Sequence, residues 1–115
     1  MKKITAALGV AALALSLGVA AAPTASAQSS SSCSYTNSEP TLSRGSTGTA
    51  VKQLQCELHY SMTGSNLTRD GIFGGGTLND VRRFQQCAGL DVDGIVGPNT
   101  WAALDYWTTA SDYAC

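Results

Sequence analysis

Charged side chains are scarce in this chain of 115 residues, since Asp, Glu, Lys and Arg together make up 13% of it. Histidine occurs once, as His59, and glutamate occurs only at Glu39 and Glu57. A zinc peptidase needs several histidine, cysteine or carboxylate ligands, and a glycosidase needs two acids that face one cleft. The G-x-S-x-G motif of one class of serine hydrolases is also missing. These shortages argue against an enzyme, and we expect no catalytic residue, no metal and no cofactor.

The N-terminal segment, residues 1–27, has the pattern of a secretory signal peptide. Met1-Lys2-Lys3 is basic, residues 4–22 are apolar apart from two hydroxyl side chains, and Ala25-Ser26-Ala27 is a small-x-small cleavage site. The apolar run 4–22 is also long enough for a retained membrane anchor. The high alanine and glycine content and Pro23 favour cleavage. We therefore predict a secreted protein without a stable membrane anchor.

A basic surface is lacking as well. Lys2 and Lys3 are two of the seven basic residues, so five basic and eight acidic residues follow the predicted signal peptide. The exported part then has a formal charge of −3. An acidic surface repels phosphate backbones, which excludes nucleic acid as a partner.

The apolar spacing of one face predicts a first helix over about residues 50–60. Val51, Leu54 and Leu58 lie at i, i+3 and i+7. Thr49 is the expected N-cap, because its hydroxyl can accept a hydrogen bond from the first turn.

Two further helices are predicted downstream. The second covers about residues 77–88 and is stopped by Gly89, a residue typical of the position after a helix. The third begins at Pro98, where proline suits the first helical position, and ends near Trp107. The fold class is therefore all-α, a small three-helix bundle with glycine-rich turns, stapled by two disulfides. The expected layout is signal peptide 1–27, polar N-terminal arm 28–41, folded domain 42–107 and C-terminal tail 108–115.

Four cysteines follow the predicted signal peptide, and an even count in a short exported chain indicates two disulfides. Cys56 lies opposite the apolar stripe of the first helix, so an arm across the outside of that helix would supply Cys33. The tail would then return Cys115 to Cys87. We therefore favour Cys33–Cys56 with Cys87–Cys115. The nested pairing, Cys33–Cys115 with Cys56–Cys87, stays as the alternative.

A short internal repeat precedes the second and third helices. Residues 70–77 and residues 93–100 both read D-G-I-[FV]-G-x-x-T. The aspartate accepts hydrogen bonds from its own turn, and the first glycine supplies a positive φ. We expect both apolar residues to turn inward and the second glycine to free the backbone where the helix begins. The predicted turn residues are Asp70, Gly71, Gly74, Asp93, Gly94 and Gly97.

These blocks resemble the peptidoglycan-binding domain family found on many bacterial wall hydrolases. The family pattern opens with G-S-x-G-x-x-V-x-x-L-Q, continues with D-G-x-F-G-x-x-T, and ends with F-Q-x-x-x-G-L-x-x-D-G-x-x-G-P-x-T-W. In this chain the three blocks are Gly45–Gln55, the repeat that begins at Asp70, and Phe84–Trp101. The resemblance covers about residues 42–104 and implies a three-helix fold that binds peptidoglycan or its fragments. The longer loop that follows Tyr60, the cysteines and the tail depart from the pattern.

Most of the matching residues build turns and core, so ligand contacts are sought among exposed aromatic, amide and basic side chains. Aromatic rings stack on sugars, and amides bind peptide stems. For each candidate, the alternative is that its side chain packs against the rest of the protein and contacts no ligand. The predicted ligand-binding residues are Tyr60, Asn66, Arg69, Asn99, Tyr106 and Trp107, with Tyr113 as a further aromatic of the tail.

The leading hypothesis is a secreted, non-catalytic protein, extracellular or associated with the cell wall, that recognises peptidoglycan. Such a protein masks wall sites, binds fragments or works beside a separate wall hydrolase. The first alternative is an interaction or inhibitor protein that presents the loop from Tyr60 to Arg69 to a protein partner. The second is a small cell-wall hydrolase.

Overall fold

The structure is a computed structural model that describes residues 33–115. The predicted signal peptide and the first residues of the predicted arm lie outside this range. Three helices follow one another, α1 (Thr49–Ser61), α2 (Gly75–Cys87) and α3 (Pro98–Thr109). The all-α, three-helix prediction is confirmed, and the predicted helix ends agree closely with the observed ones. Within the described range, no helix is long and apolar enough to cross a bilayer.

The start of α1 differs from the prediction. Gly48, and not Thr49, is the N-cap, and no side chain caps the helix. Gly48 has a φ of 120°, a conformation that disfavours threonine or any other L side chain. Its N–H donates to the Gly71 carbonyl at 2.9 Å, which joins the start of α1 to the first D-G-I turn.

The end of α2 is closed by a Schellman motif. Gly89 has a φ of 75°, the left-handed conformation that this motif requires. The Leu90 N–H donates to the Gln85 carbonyl at 2.8 Å, and the Gly89 N–H donates to the Gln86 carbonyl at 3.3 Å. These bonds satisfy carbonyls that the helix leaves unpaired and direct the chain into the second D-G-I turn.

The core lies between the three helices, and α1 contacts both α2 and α3. The apolar stripe predicted for α1 is buried, and the stripes of the other two helices face it. Each D-G-I-[FV] segment adds one core side chain, Phe73 before α2 and Val96 before α3. The core consists of Leu42, Val51, Leu54, Leu58, Met62, Phe73, Val81, Phe84, Val96, Trp101 and Leu104.

Only one of the two apolar residues in each D-G-I-[FV] segment turns inward, so the prediction for the other residue is wrong. Phe73 and Val96 are 1% and 0% exposed, whereas Ile72 and Ile95 are 56% and 44% exposed. Ile72 and Val96 each form an isolated antiparallel bridge. Consecutive residues of extended backbone point to opposite sides, so burying one side chain exposes its neighbour.

The disulfides are Cys33–Cys56 and Cys87–Cys115, which confirms the favoured pairing. The arm that carries Cys33 is held on α1 by Gln53. Gln53 Oε1 accepts a hydrogen bond from the Tyr35 N–H at 2.8 Å, and its Nε2 donates to the Cys33 carbonyl at 3.2 Å. Cys56 lies on the outer face of α1, and it is fully buried because the arm covers it.

Candidate functional site

Each D-G-I turn is organised by a buried glutamine from the preceding helix. In the first turn this residue is Gln55, which is 1% exposed. Its Nε2 donates to Asp70 Oδ1 at 3.1 Å, the Ile72 carbonyl at 3.0 Å and Thr77 Oγ1 at 3.1 Å. Its Oε1 accepts from the Gly71 N–H at 3.0 Å. One side-chain amide thus joins the aspartate, the middle of the turn and the first turn of α2.

Gln85 does the same in the second turn. Its Nε2 donates to Asp93 Oδ1 at 2.9 Å, the Ile95 carbonyl at 3.0 Å and Thr100 Oγ1 at 3.2 Å. Its Oε1 accepts from the Gly94 N–H at 2.9 Å. The two networks have the same partners at the same repeat positions, so the internal repeat is structural and extends into the preceding helices.

Neither glutamine is among the site residues predicted from the sequence. The signal that could have found them is V-x-x-[LF]-Q, which occurs at Val51–Gln55 and Val81–Gln85. Gln55 lies 15 residues before Asp70, whereas Gln85 lies 8 residues before Asp93. A comparison at the fixed offset of the turns therefore does not align the two glutamines.

The aspartates of the turns are exposed and favour the ionised form. The Ile72 and Ile95 N–H groups donate to Asp70 and Asp93 at 2.9 Å. These backbone hydrogen bonds, and then those from the organising glutamines, hold the pKa of both carboxyl groups below the ordinary value. Each turn therefore presents a carboxylate to solvent.

A shallow cleft lies beside each turn, with a volume of about 210 Å³ at the first turn and about 230 Å³ at the second. Cleft A is lined by Leu67, Thr68, Asp70, Ile72, Gly74 and Gly76. Cleft B is lined by Leu90, Asp91, Asp93, Ile95, Gly97 and Asn99. Each of these residues in cleft A has its counterpart in cleft B at the equivalent position of the repeat.

The two clefts share their frame and differ in their polar lining. Both present a turn carboxylate and an exposed isoleucine. Thr68 of cleft A is replaced by Asp91 in cleft B, and Gly76 is replaced by Asn99. Asn99 is the one predicted ligand-binding residue that lines a cleft.

The glycines of the predicted turns have two different roles. Gly71 and Gly94 have φ values of 77° and 75°, which require glycine. Gly74 and Gly97 are the N-caps of α2 and α3, with φ values of −104° and −105° that other residues also adopt. The need for glycine is therefore strict at the first glycine of each motif.

Three of the predicted ligand-binding residues lie on or beside the loop after α1. The Arg69 guanidinium lies 5.6 Å from the centre of the Tyr60 ring, and that ring meets His59 edge to face at 4.9 Å. Asn66 is exposed on the same loop. The loop is anchored to α2, because Ser65 Oγ donates to Asp80 Oδ2 at 2.7 Å.

The last two predicted residues lie at the end of α3. Tyr106 is 63% exposed, and its ring meets Trp107 edge to face at 5.1 Å. Together with Tyr113 of the tail they line a groove of about 460 Å³. The predicted ligand-binding residues therefore occupy three separate places, namely the loop after α1, cleft B and this aromatic groove.

A cluster of three carboxyl groups joins the arm, α1 and α3. Glu57 is 2% exposed, and its Oε2 accepts a hydrogen bond from Gln53 Nε2 at 2.6 Å. Its buried Oε1 has no hydrogen-bond partner. Burial raises the pKa of Glu57 to about 7. The nearby charge of Glu39 adds to this rise, whereas the hydrogen bond from Gln53 opposes it. Burial also raises the pKa of Asp105, which contacts both glutamates, to about 6.

The three acids of this cluster differ in their access to solvent. Glu39 contacts Asp105, and burial and then this contact raise the pKa of Glu39 to about 7. Glu57 is closed off from solvent, Asp105 is half-buried and Glu39 is exposed. In residues 33–115, no group of three or more His, Cys, Asp and Glu side chains is arranged to hold a metal ion.

Comparison with known proteins identifies the module. A family model described as "Putative peptidoglycan binding domain" matches residues 47–104, half of the chain. An uncharacterised protein of Kitasatospora aureofaciens is 56% identical over 72 residues, which are 63% of this chain and 61% of that protein. The zinc D-Ala-D-Ala carboxypeptidase of Streptomyces albus G is 52% identical over 62 residues, 53% of this chain and 24% of the enzyme.

A solved structure gives the same answer for the fold. The SleB N-terminal domain superimposes with a TM-score of 0.55 at 39% identity, covering 58% of this chain and 90% of that domain. The chain spans less than two thirds of the length of the curated relatives it matches. The matched part contains both D-G-I turns and their organising glutamines.

Proposed function

Because the chain belongs to the peptidoglycan-binding domain family, we propose that it is an exported protein that binds the bacterial cell wall without cleaving it. The observation that carries this proposal is the family match, which includes both turns and both clefts. The signal-peptide pattern of residues 1–27 supports export to the compartment where peptidoglycan lies.

Three facts support a binding role without turnover. The match to the zinc carboxypeptidase covers 24% of that enzyme, so the shared part is a module and not a whole hydrolase. The acidic cluster of this chain has its central glutamate buried, where a polysaccharide does not reach it. The clefts are shallow and solvent-facing, which suits reversible contact with a polymer. In this proposal the protein masks wall sites, holds fragments or works beside a separate hydrolase.

Retention on purified sacculi tests wall binding. The oxidised protein is incubated with sacculi, and the fraction that sediments with them is measured. We expect saturable retention well above that of an unrelated secreted protein of similar size and charge. Retention at the level of that control would contradict the proposal and would favour a protein partner.

Release of soluble material from the same sacculi tests the absence of turnover. Reducing sugars and free amino groups are measured in the supernatant over time, with a known muramidase as the positive control. We expect no release above the buffer sample. Release that scales with protein concentration would show a hydrolase.

A further inference from the structure

We propose that cleft A and cleft B are equivalent half-sites that bind two repeats of one peptidoglycan strand, each taking a secondary amide that carries a methyl group. This inference rests on the proposed wall binding and adds where and how the polymer is held. Its basis is that six lining positions of one cleft recur, in the same order and spacing, in the other.

The chemistry that the two clefts share defines the group they bind. Asp70 and Asp93 each present an exposed carboxylate, which accepts a hydrogen bond from an amide N–H. Ile72 and Ile95 follow in the same turns and expose 56% and 44% of their surface. An apolar side chain beside a hydrogen-bond acceptor complements an amide N–H with a methyl group next to it.

Each cleft is small, so it takes a part of one repeat of the polymer and not a long segment. Volumes of about 210 and 230 Å³ are smaller than the roughly 300–1,000 Å³ typical of pockets that enclose a whole small molecule. Two parts of peptidoglycan carry an amide with a methyl group in every repeat, the N-acetyl groups of the glycan and the alanines of the stem peptide. Both sources share the chemistry, and the experiment below separates them.

Two weak half-sites suit a periodic ligand. When two contacts are made by one polymer, the second becomes intramolecular, and the overall affinity exceeds that of one contact by about 10²–10⁴. The buried glutamines fix both turns before the ligand arrives, so little ordering is required on binding. The duplication of the turn therefore gives the protein a way to hold a strand without a deep pocket.

Paired substitutions test the half-sites. Ile72→Ser and Ile95→Ser each remove an exposed apolar contact, and Val92→Ser, at a residue that is 52% exposed and does not line either cleft, is the matched control. We expect each cleft variant to lower the apparent affinity for sacculi at least about tenfold, because either loss removes the avidity. The double variant is expected to fall to background, and the control to bind as the unchanged protein does.

The outcomes separate this inference from the wall-binding proposal. Suppose that the unchanged protein binds sacculi, but only one of the two cleft variants, or neither of them, loses affinity. Two-site binding is then overturned, while wall binding stands. If the unchanged protein does not bind, both fall. A loss of affinity in Val92→Ser equal to that in the cleft variants would also overturn the assignment. Circular dichroism of each variant establishes that the fold is retained.

Amide chemical shifts on addition of single-repeat fragments give a second, independent measurement. One arm uses glycan fragments without stem peptides, and the other uses free stem peptides. We expect one of the two fragments to shift the amides of both D-G-I turns, with half-saturation in the same range for each. Shifts at one turn alone, or at the aromatic groove of Tyr106 and Trp107 alone, would overturn the half-site model.

Discussion

The substitution Glu57→Gln is expected to stabilise the protein at pH 8 and to have little effect at pH 4. The folded-state pKa of Glu57 is about 7, above its ordinary value of 4.5, because the carboxyl group is buried. Below about pH 4.5 the group is protonated in the folded and unfolded states, and its burial carries no electrostatic penalty. Between about pH 4.5 and about pH 7 the unfolded state loses this proton while the folded state keeps it, so stability falls across this window, and above about 7 the folded state buries a charge.

The pKa shift sets the size of the effect. A rise from 4.5 to about 7 corresponds to about 3 kcal/mol of unfolding free energy at pH 8. Glutamine can still accept the hydrogen bond from Gln53 and can donate one to Asp105. For a domain of this size, about 3 kcal/mol corresponds to a rise in Tm of about 12–24 °C. Glu39 is exposed and solvent screens its charge, so its raised pKa has little effect on the free energy of unfolding.

Thermal unfolding followed by circular dichroism at pH 4 and pH 8 measures this effect. Asp91→Asn is the control, because it removes one exposed carboxylate and changes the net charge by the same amount. The difference in Tm between Glu57→Gln and the unchanged protein should grow between the two pH values, and that of the control should not. Equal differences at both pH values would refute the argument that burial of Glu57 destabilises the alkaline form.

Two further predictions concern the turns. Gly94→Ala is expected to lower the unfolding free energy by about 1–3 kcal/mol in urea denaturation, because the residue has a φ of 75° and a Cβ would lie 2.7 Å from Leu78 Cδ1. Gly75→Ala, in open space within α2, should instead leave stability unchanged or raise it by up to about 1 kcal/mol, and equal losses in the two variants would contradict the steric argument. Gln85→Met is expected to lower the unfolding free energy by about 3 kcal/mol, since it leaves buried partners in the second turn unpaired. The exposed neighbour provides the control, because Gln86→Met should stay within about 0.5 kcal/mol, and a similar loss there would argue against the amide network.

The helices and the disulfides follow from local information in the sequence. The stripe of Val51, Leu54 and Leu58 sets the buried face of α1, and Pro98 marks the start of α3. The pairing of Cys33 with Cys56 follows from placing Cys56 on the outer face of α1, where the arm reaches it. These features depend on periodicity and on residues with strong positional preferences, so the sequence alone predicts them.

The features that were missed depend on contacts between distant residues. Gln55 and Gln85 are buried polar side chains, which an apolar periodicity does not reveal, and their partners lie 8 to 22 residues away. Ile72 and Ile95 are exposed because bridges to other segments fix which side of the chain faces the core. The pKa of Glu57 is raised by burial and then by the charge of Glu39 in the arm, both of which depend on the fold. Tertiary structure decides all three features. The chemistry of the clefts depends on two of them, the buried glutamines and the exposed isoleucines.

The side-chain amides of the two glutamines hold the turns from beneath, beside the antiparallel bridges of Ile72 and Val96. A turn that is held from its buried side is free to vary at its exposed positions. Positions 68 and 91, and positions 76 and 99, already differ while the frame is the same. The segments 67–77 and 90–100 have equal length and the same turn, so their exposed positions can carry different chemistry while the buried side of each turn stays the same.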